Sequence, residues 1–484
     1  MTFLFEVHPV RCFLKKNYGF ETLDSVFVET SHKVLGLPKE SDWVLYAPYS
    51  DKTLLRNVLT YNLAGKFGRY SPRTKYCELF INDDYRGVYV LVEKIKHDNH
   101  RVDIATLKPT ELAGDSLTGG YILKIDRGYD GTNGFVSNYS KDGSVKIYPN
   151  SDINGYPINF VFVYPKPEDI KNEQKNYIHN YVSDFENTLK SSNFADPING
   201  YAKYIDVASF VDHFLINEFS KNVDAYRLSA FFYKDKDSKG GKLTAGPVWD
   251  YDLTFGNADY YDGQLTTGWV YNIFPMVEQA PPPFWWKKLM TDPAFQNKLK
   301  CRWTQLRQNI LNTDSINLFI DKNVALLSEA QQRNFSTFPI LNQWIWPNNI
   351  VPGSYDGEIT YFKNWISSRL IWMDSNLPGS GDCTTSTNQI EKENSWITVS
   401  PNPFFNQLDF SIATKITGKV DISIMDISGR KIAAITGHNA GEDLIHFYWN
   451  GKSASGNTIP EGLYIYTISI NQQIIKTGKI VKAR

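Results

Sequence analysis

The sequence predicts an α+β domain over residues 1–375, a linker over 376–394 and an all-β sandwich over 395–484. Three observations carry that prediction. Up to about residue 375, runs with helical period alternate with β-hairpin patterns built around Asn/Asp/Gly turns. From 375 to 389 the chain reads SNLPGSGDCTTSTNQ, polar and rich in Gly and Ser, the clearest linker composition in it. Beyond that, short β-like runs follow one another between turn signals. At 484 residues the chain also exceeds one ordinary compact domain.

A helix is expected from Asp51, a capping residue, through Leu55, Leu59 and Leu63 at spacing four, with Gly65 as its stop. YCELFI and VYVLVEKI flank NDDYRG as a hairpin, and GGYILKID at 119–126 is a further strand. Pro167-Glu168-Asp169 opens a helix whose apolar face carries Ile170, Tyr177, Ile178, Tyr181, Phe185 and Leu189. The next helix carries Phe210, Phe214 and Leu215 and ends near Lys221. LSAFFYKD and KLTAGPVW flank KDSKGG as a second hairpin, and helices are expected at roughly 284–311, 315–333 and 357–375. The tail offers seven β-like runs: WITVS, LDFSIA, VDISIMD, KIAAIT, LIHFYW, GLYIYTISI and GKIVKA. Turn signals at Pro401-Asn402-Pro403, Ser428-Gly429, Asn450-Gly451 and Pro460-Glu461-Gly462 separate them, a spacing that predicts an immunoglobulin-like sandwich. No internal repeat is visible.

Composition narrows the function classes. A hydrophobic content of 42% supports a large core and argues against wholesale disorder. The 51 basic and 52 acidic residues nearly cancel, and no long basic run stands out, so nucleic acid and anionic membrane are not expected partners. No run approaches the ~20 apolar residues of a membrane span. The N-terminal MTFLFEVHPVRCFLKK lacks the basic n-region and apolar core of a signal peptide. Cys12, Cys77, Cys301 and Cys383 form no CxxC or His/Cys cluster, so zinc is not expected; one or two disulfides would fit an exported protein. The 29 Tyr, 29 Phe and 12 Trp supply core packing first, and an exposed surface for sugars or peptides second.

The chemistry-bearing segment is residues 217–257. Asp224 sits just before the first strand of the second hairpin, and Asp250 and Asp252 just after its second strand. In an antiparallel pair the start of one strand faces the end of the other, which places Asp250 about opposite Arg227. The three carboxylates therefore gather at the hairpin end away from the turn. Crowded carboxylates raise one another's pKa and are relieved by solvent, a basic partner or a divalent cation. Oxygen donors suit Mg²⁺, Mn²⁺ or Ca²⁺, and Asn222 and Asn257 add neutral oxygens nearby. An Asp that accepts a hydroxyl proton beside metal-holding Asp residues is what phosphoryl transfer needs. Asp residues at strand ends also make Asx-turns and caps, and that reading stands beside the first. For the cations such a site needs, Glu93-Lys94 ends one strand, and Lys124 lies in another, on the face opposite Leu123 and Ile125. No GxGxxG, GxxxxGK[ST] or Gly-x-Ser-x-Gly motif is present, and Gly119-Gly120 is too little for a phosphate loop.

Several stretches resemble the CotH kinase family, named after a spore coat protein. They are KKNYGFET, GLPKESDWVLYAPYSDKTLLRNVLTYNLA, YCELFINDDYRGVYVLVEKIK, GGYILKID, NEFSKNVDAYRLSAFFYKD, KLTAGPVWDYDLTFGN, FWWKKLMTDPAF and RWTQLR, together spanning roughly residues 12–375. The resemblance implies an atypical kinase-like fold that uses ATP and a divalent metal, Mg²⁺ or Mn²⁺, to phosphorylate protein Ser/Thr. It implies Asp224 of NVD as the catalytic carboxylate, Asp250 of WDYD as the metal ligand and Asp252 as the second candidate. Glu93, Lys94, Lys124 and Arg227 are the candidates for the nucleotide side. Two departures are visible: Ser229 and Ala230 stand where many members carry an Asn, and HPVRCFL stands where members carry an Arg-Gly-x-Ser-Ser-like segment. A truncated N-terminal edge is expected from the second.

The tail resembles the type IX secretion C-terminal sorting domain of Bacteroidetes, through VSPNPF at 399–404, DISGRKI at 426–432, WNGKSASGNTIPEGLYIYTISI at 449–470 and the basic end GKIVKAR. That resemblance implies the type IX secretion machinery as a partner and a secreted or outer-membrane surface location. Two other functions compete with a secreted kinase. One is a non-catalytic pseudokinase at the cell surface that binds glycan or protein. The other is a metal-dependent hydrolase using the same carboxylates.

Overall fold

The computed structural model describes residues 2–8, 13–140, 143, 158–272, 281–383, 397–412, 417–426, 429–440, 444–471 and 473–483. Residues 9–12 with Cys12, linker residues 384–394 and Ser428 lie outside the described residues. Two units make up the chain, Met1–Asp382 and Cys383–Arg484.

Among the described residues, the first unit holds two five-stranded antiparallel sheets. The first comprises β1 (Thr2–His8), β2 (Asn17–Leu23), β3 (Asp42–Tyr46), β4 (Thr74–Ile81) and β5 (Asp84–Glu93), in spatial order β1-β2-β3-β5-β4. Helix α1 (Arg56–Lys66) connects β3 to β4. Asn82 and Asp83 turn the β4–β5 hairpin with φ of +50° and +65°, the left-handed pair that a two-residue loop requires. Strand alternation then divides β5 between two cores. Val88, Val90 and Val92 enter the main core with Leu55, Val58 and Leu59 of the α1 region, while Tyr89 and Leu91 enter a smaller cluster with Phe20, Trp43 and Leu45.

The second sheet comprises β6 (Tyr121–Ile125), β7 (Gly134–Val136), β8 (Asn159–Tyr164), β9 (Ala230–Lys234) and β10 (Thr244–Ala245), in order β10-β9-β6-β8-β7. Helices α2 (Gly114–Leu117), α3 (Asn172–Lys190), α4 (Val207–Ser220), α5 (Trp285–Leu289), α6 (Pro293–Gln308), α7 (Thr313–Leu326), α8 (Ala330–Thr337) and α9 (Tyr355–Asn376) complete the unit. The result is a mixed helix-and-sheet domain.

Several helix bounds differ from the sequence expectation, each for a local reason. α1 starts at Arg56, not Asp51, because Leu54 is left-handed (φ +64°); Asp51 caps from outside, accepting from the Arg56 N–H at 2.9 Å. α3 starts at Asn172, five residues after Pro167, where Gln174 returns a hydrogen bond to the Lys171 N–H. The expected 284–311 helix is two helices, since Asp292 caps a new one and Pro293 fits its first turn. The expected 315–333 helix likewise divides into α7 and α8.

In the second unit, β11 (Ile397–Ser400), β12 (Leu408–Ile412) and β15 (Ile445–Trp449) form one antiparallel sheet. β13 (Gly418–Asp426), β14 (Lys431–Asn439), β16 (Gly462–Ile470) and β17 (Gln473–Lys482) form another, in order β14-β13-β16-β17. Phe410, Ile412 and Trp449 from the first share one core with Ile422, Ile424, Tyr466 and Ile468 from the second. Cys77 is a free thiol, and Cys301 and Cys383 are disulfide-bonded.

A buried ion pair closes the loop between β3 and α1, and its arginine ties that loop to Thr254. Arg56 Nη1 lies 2.6 Å from Asp51 Oδ1, with side chains 1% and 0% exposed, and Arg56 Nε donates to the Thr254 carbonyl at 2.9 Å. Asp51→Ala would leave a buried, unpaired guanidinium. It is expected to lower the unfolding free energy by about 3–5 kcal/mol, read from the urea midpoint of the first unit.

Candidate active site at the open end of the second hairpin

The site is built from the two chain segments that flank the β9–β10 hairpin. α4 ends at Lys221 in a left-handed cap (φ +48°), and the chain folds back at once. Asn222 Oδ1 accepts from the Asp224 N–H at 3.1 Å, and the Asp224 carbonyl accepts from the N–H groups of Arg227 and Leu228 at 3.3 and 3.1 Å. Asp224 therefore sits in a short fixed turn. Arg227 Nη2 donates to its Oδ1 at 2.5 Å, and the guanidinium lies 5.5 Å from the Tyr261 ring.

The other segment is Trp249–Asn257, and α1 holds its backbone. Asn57 and Tyr61, one turn apart on the same helix face, act together. Asn57 Oδ1 accepts from the Tyr251 N–H at 2.6 Å, and the Tyr61 hydroxyl accepts from the Asp250 N–H at 2.9 Å. The Tyr61 ring also stacks on Trp249. Tyr251 donates its hydroxyl to Asn217 Oδ1 of α4 at 2.8 Å, and Asn257 Nδ2 donates to the Asp252 carbonyl at 2.8 Å. Around the carboxylates Tyr226, Ser229, Asp250 and Phe255 are all left-handed, with φ of +67°, +48°, +64° and +48°. Each such non-glycine residue costs on the order of 1 kcal/mol and persists only where its surroundings over-determine it.

Asp250 is solvent-exposed at the rim of this cluster. Loss of bulk water, then the charges of Asp224 and Asp126, push its carboxyl up to about 6. Asp252 is driven well above the carboxylate range by burial, then by Asp250, Asp51 and Asp224. Asp224 is raised by burial, with Arg227 and Arg127 opposing. The Tyr46 hydroxyl, at the end of β3, stands 3.5 Å from Asp252 Oδ2. These groups form one coupled acidic cleft.

The structure sorts the basic candidates. Lys124 belongs to the cleft: it lies on the β6 face opposite Leu123 and Ile125, pairs with Asp126 at 2.8 Å, and draws Asp250 down. Arg227 is there through Asp224. Glu93 and Lys94 are committed elsewhere, Glu93 to Arg73 at 2.7 Å and Lys94 to Asp42 at 3.4 Å. The neutral oxygens expected from Asn222 and Asn257 are already used, by the Asp224 N–H and by Asn348 Nδ2. Ala230 pairs with Ile125 in the sheet, so no carboxamide stands there. Sequence reasoning missed Asp126 and Arg127. The signal was the strand period, since Asp126 lies two residues from Lys124 and so shares its face.

Among the described residues no three His, Cys, Asp or Glu side chains form a ready-made metal cage. A hard cation still fits the donor chemistry. Mg²⁺ takes one or two carboxylates, keeps several waters and completes its shell with substrate phosphates. Asp250 and Asp252 are two such donors, both raised first by loss of water and then by the neighbouring carboxylates.

A family profile described as CotH kinase protein matches residues 10–373. The chain belongs to the CotH kinase family. The acidic cleft and both sheets of the first unit thus lie inside the CotH domain, and an atypical kinase-like protein is the functional class. No curated protein matches the chain. Among solved structures, latent PorU of Porphyromonas gingivalis is 21% identical over 18% of this chain and 9% of its own, with a TM-score of 0.17. PorZ, a surface component of the type-IX secretion system of the same organism, is 19% identical over 22% and 13%, with a TM-score of 0.15. The Pseudomonas fluorescens DNA glycosylase AlkC is 10% identical over 41% and 65%, with a TM-score of 0.14. At these TM-scores none of the three defines the fold.

The raised carboxyls set the pH dependence of stability. With a folded value of about 6 against an ordinary 3.8, Asp250 binds more proton in the native state between those limits, so its contribution to stability falls as pH rises through that window. Without metal, the melting temperature is expected to fall between pH 4 and pH 6. Asp250→Asn should flatten that slope and melt above the unmodified chain at pH 7, measured by differential scanning calorimetry in EDTA.

Proposed function

We propose that the CotH domain transfers the γ-phosphoryl group of ATP to Ser or Thr hydroxyls of a protein. A divalent cation, Mg²⁺ or Mn²⁺, would be held by Asp250 and Asp252 and would neutralise charge on the phosphate oxygens. In this reading the acceptor oxygen forms a bond to phosphorus, the bond from phosphorus to the β–γ bridging oxygen breaks, and ADP leaves. Asp224 accepts the hydroxyl proton. One of its oxygens is steadied by Arg227; the other carries no hydrogen bond among the described residues. Lys124, oriented by Asp126, is the cation for the phosphates. The observation that carries this reading is the electrostatic coupling of Asp224, Asp250 and Asp252 across the hairpin end.

For the second unit we propose an immunoglobulin-like type IX sorting domain, which makes the protein secreted or surface-bound with that machinery as partner. Its support is the VSPNPF and WNGKSASGNTIPEGLYIYTISI motifs on a two-sheet sandwich. The disulfide-bonded state of Cys301 and Cys383 fits an oxidising compartment. A surface-binding reading without catalysis is supported by Trp344 and Trp346, 56% and 49% exposed. It requires Asp224→Asn to leave function intact.

Incubation with labelled ATP, Mn²⁺ and a protein acceptor separates these readings. Asp224→Asn is expected to cut label transfer about 10²–10⁴-fold while retaining the thermal shift given by Mn²⁺ and ATP. Asp250→Asn should lose both. Lys124→Met should raise KM for ATP about tenfold, and Lys94→Met should not. Absence of both transfer and thermal shift in the unmodified chain would overturn the kinase reading.

A further inference from the structure

Behind α1, on a different part of the helix from Asn57, lies a cavity of about 760 Å³ that the carboxylate site does not use. It is bounded by α1, the residues entering β4, the loop at 36–38 and α7, and its volume matches small-molecule sites. Leu37, Val58, Phe319 and Leu326 give it apolar walls, and Leu326 stays 67% exposed although large and aliphatic.

Two polar side chains in this lining are unsatisfied. Asn62 Oδ1 and Ser71 Oγ are sealed from solvent with no hydrogen-bond partner among the described residues, and Ser71 is only 7% exposed. A buried polar group left unpaired costs about 1–3 kcal/mol, so two in the lining of one cavity call for a partner. The charge of the lining is equally one-sided. Lys66 and Lys75 are exposed and neither has an ion pair among the described residues, whereas the neighbouring Arg73 is committed to Glu93.

We propose that this cavity binds a small amphiphilic anion: an aromatic or aliphatic body against Val58, Phe319 and Leu326, with a carboxylate, sulfonate or phosphate head between Lys66 and Lys75. The Ser71 hydroxyl, and the Asn62 amide once turned, supply neutral donors to the same head. Tyr61 lines this cavity and also holds the Asp250 N–H, so the bound molecule rests against a side chain that positions the acidic cleft.

The test uses the full chain without ATP or metal, so its outcome is independent of the phosphoryl-transfer reading. The probe is 8-anilinonaphthalene-1-sulfonate, followed by its fluorescence. Saturable binding at one site with a Kd on the order of 10–100 μM is expected. Lys66→Glu combined with Lys75→Glu, both on the surface, should weaken it at least ~10-fold with an unchanged melting temperature. Asn62→Leu removes the unpaired oxygen; it should weaken binding ~10-fold without lowering the melting temperature. Absence of saturable binding, or binding that survives the charge reversal and Asn62→Leu alike, would overturn the proposal.

Discussion

The acidic cleft depends on the grip of α1 on a backbone segment 194 residues further along the chain. Three side chains from the first two turns of that helix take the 250–254 segment by its peptide groups: Arg56 at Thr254 O, Asn57 at Tyr251 N and Tyr61 at Asp250 N. None of them touches a reacting group. They fix the path of the chain, and the carboxylates follow. The grip is only as firm as the helix, whose Val58 and Leu59 share the main core with Val88, Val90 and Val92 of the first sheet. The first sheet thus reaches the cleft through one helix, with Tyr46 at the end of β3 adding a direct contact.

The energetics of the cleft run against stability. Asp224, Asp250, Asp252 and Asp126 are brought together in a region where protein has displaced much of the water, and each makes ionisation of its neighbours harder. Lys124, Arg127 and Arg227 offset this incompletely, since all three Asp carboxyls at the hairpin end remain raised. The left-handed residues add backbone strain at the same place. Elsewhere the unit pairs its buried charges: Asp51 with Arg56, Glu218 with Arg369, Asp212 with Arg302. At the hairpin end the carboxyls stay raised despite the basic residues beside them.

Much of this is legible in the sequence because it follows from period and register. The described ladder pairs Thr244 with Tyr233 and Ala245 with Phe232, so the segments carrying Asp224 and Asp250 leave the hairpin at the same end, away from its turn. The face of Lys124 follows from its flanking Leu123 and Ile125. What is not legible depends on tertiary context. Nothing local shows that Glu93 meets Arg73 or that Lys94 meets Asp42, because those partners arrive from other strands and loops. Asn222 and Asn257 look like spare oxygens until Asp224 N–H and Asn348 take them. The start of α1 is masked in the same way: Asp51 is a capping residue by type and does cap, but from five residues away, across a left-handed Leu54.

The left-handed backbone of Asp250 has a consequence for reading relatives of this chain. At φ +64° only Asn and Gly replace Asp without added strain. An Asn or Gly at this position in another sequence therefore marks a loop whose path was kept while its charge was given up. A β-branched residue there marks a loop that has been rebuilt. One backbone angle thus separates two histories that a count of lost carboxylates would merge.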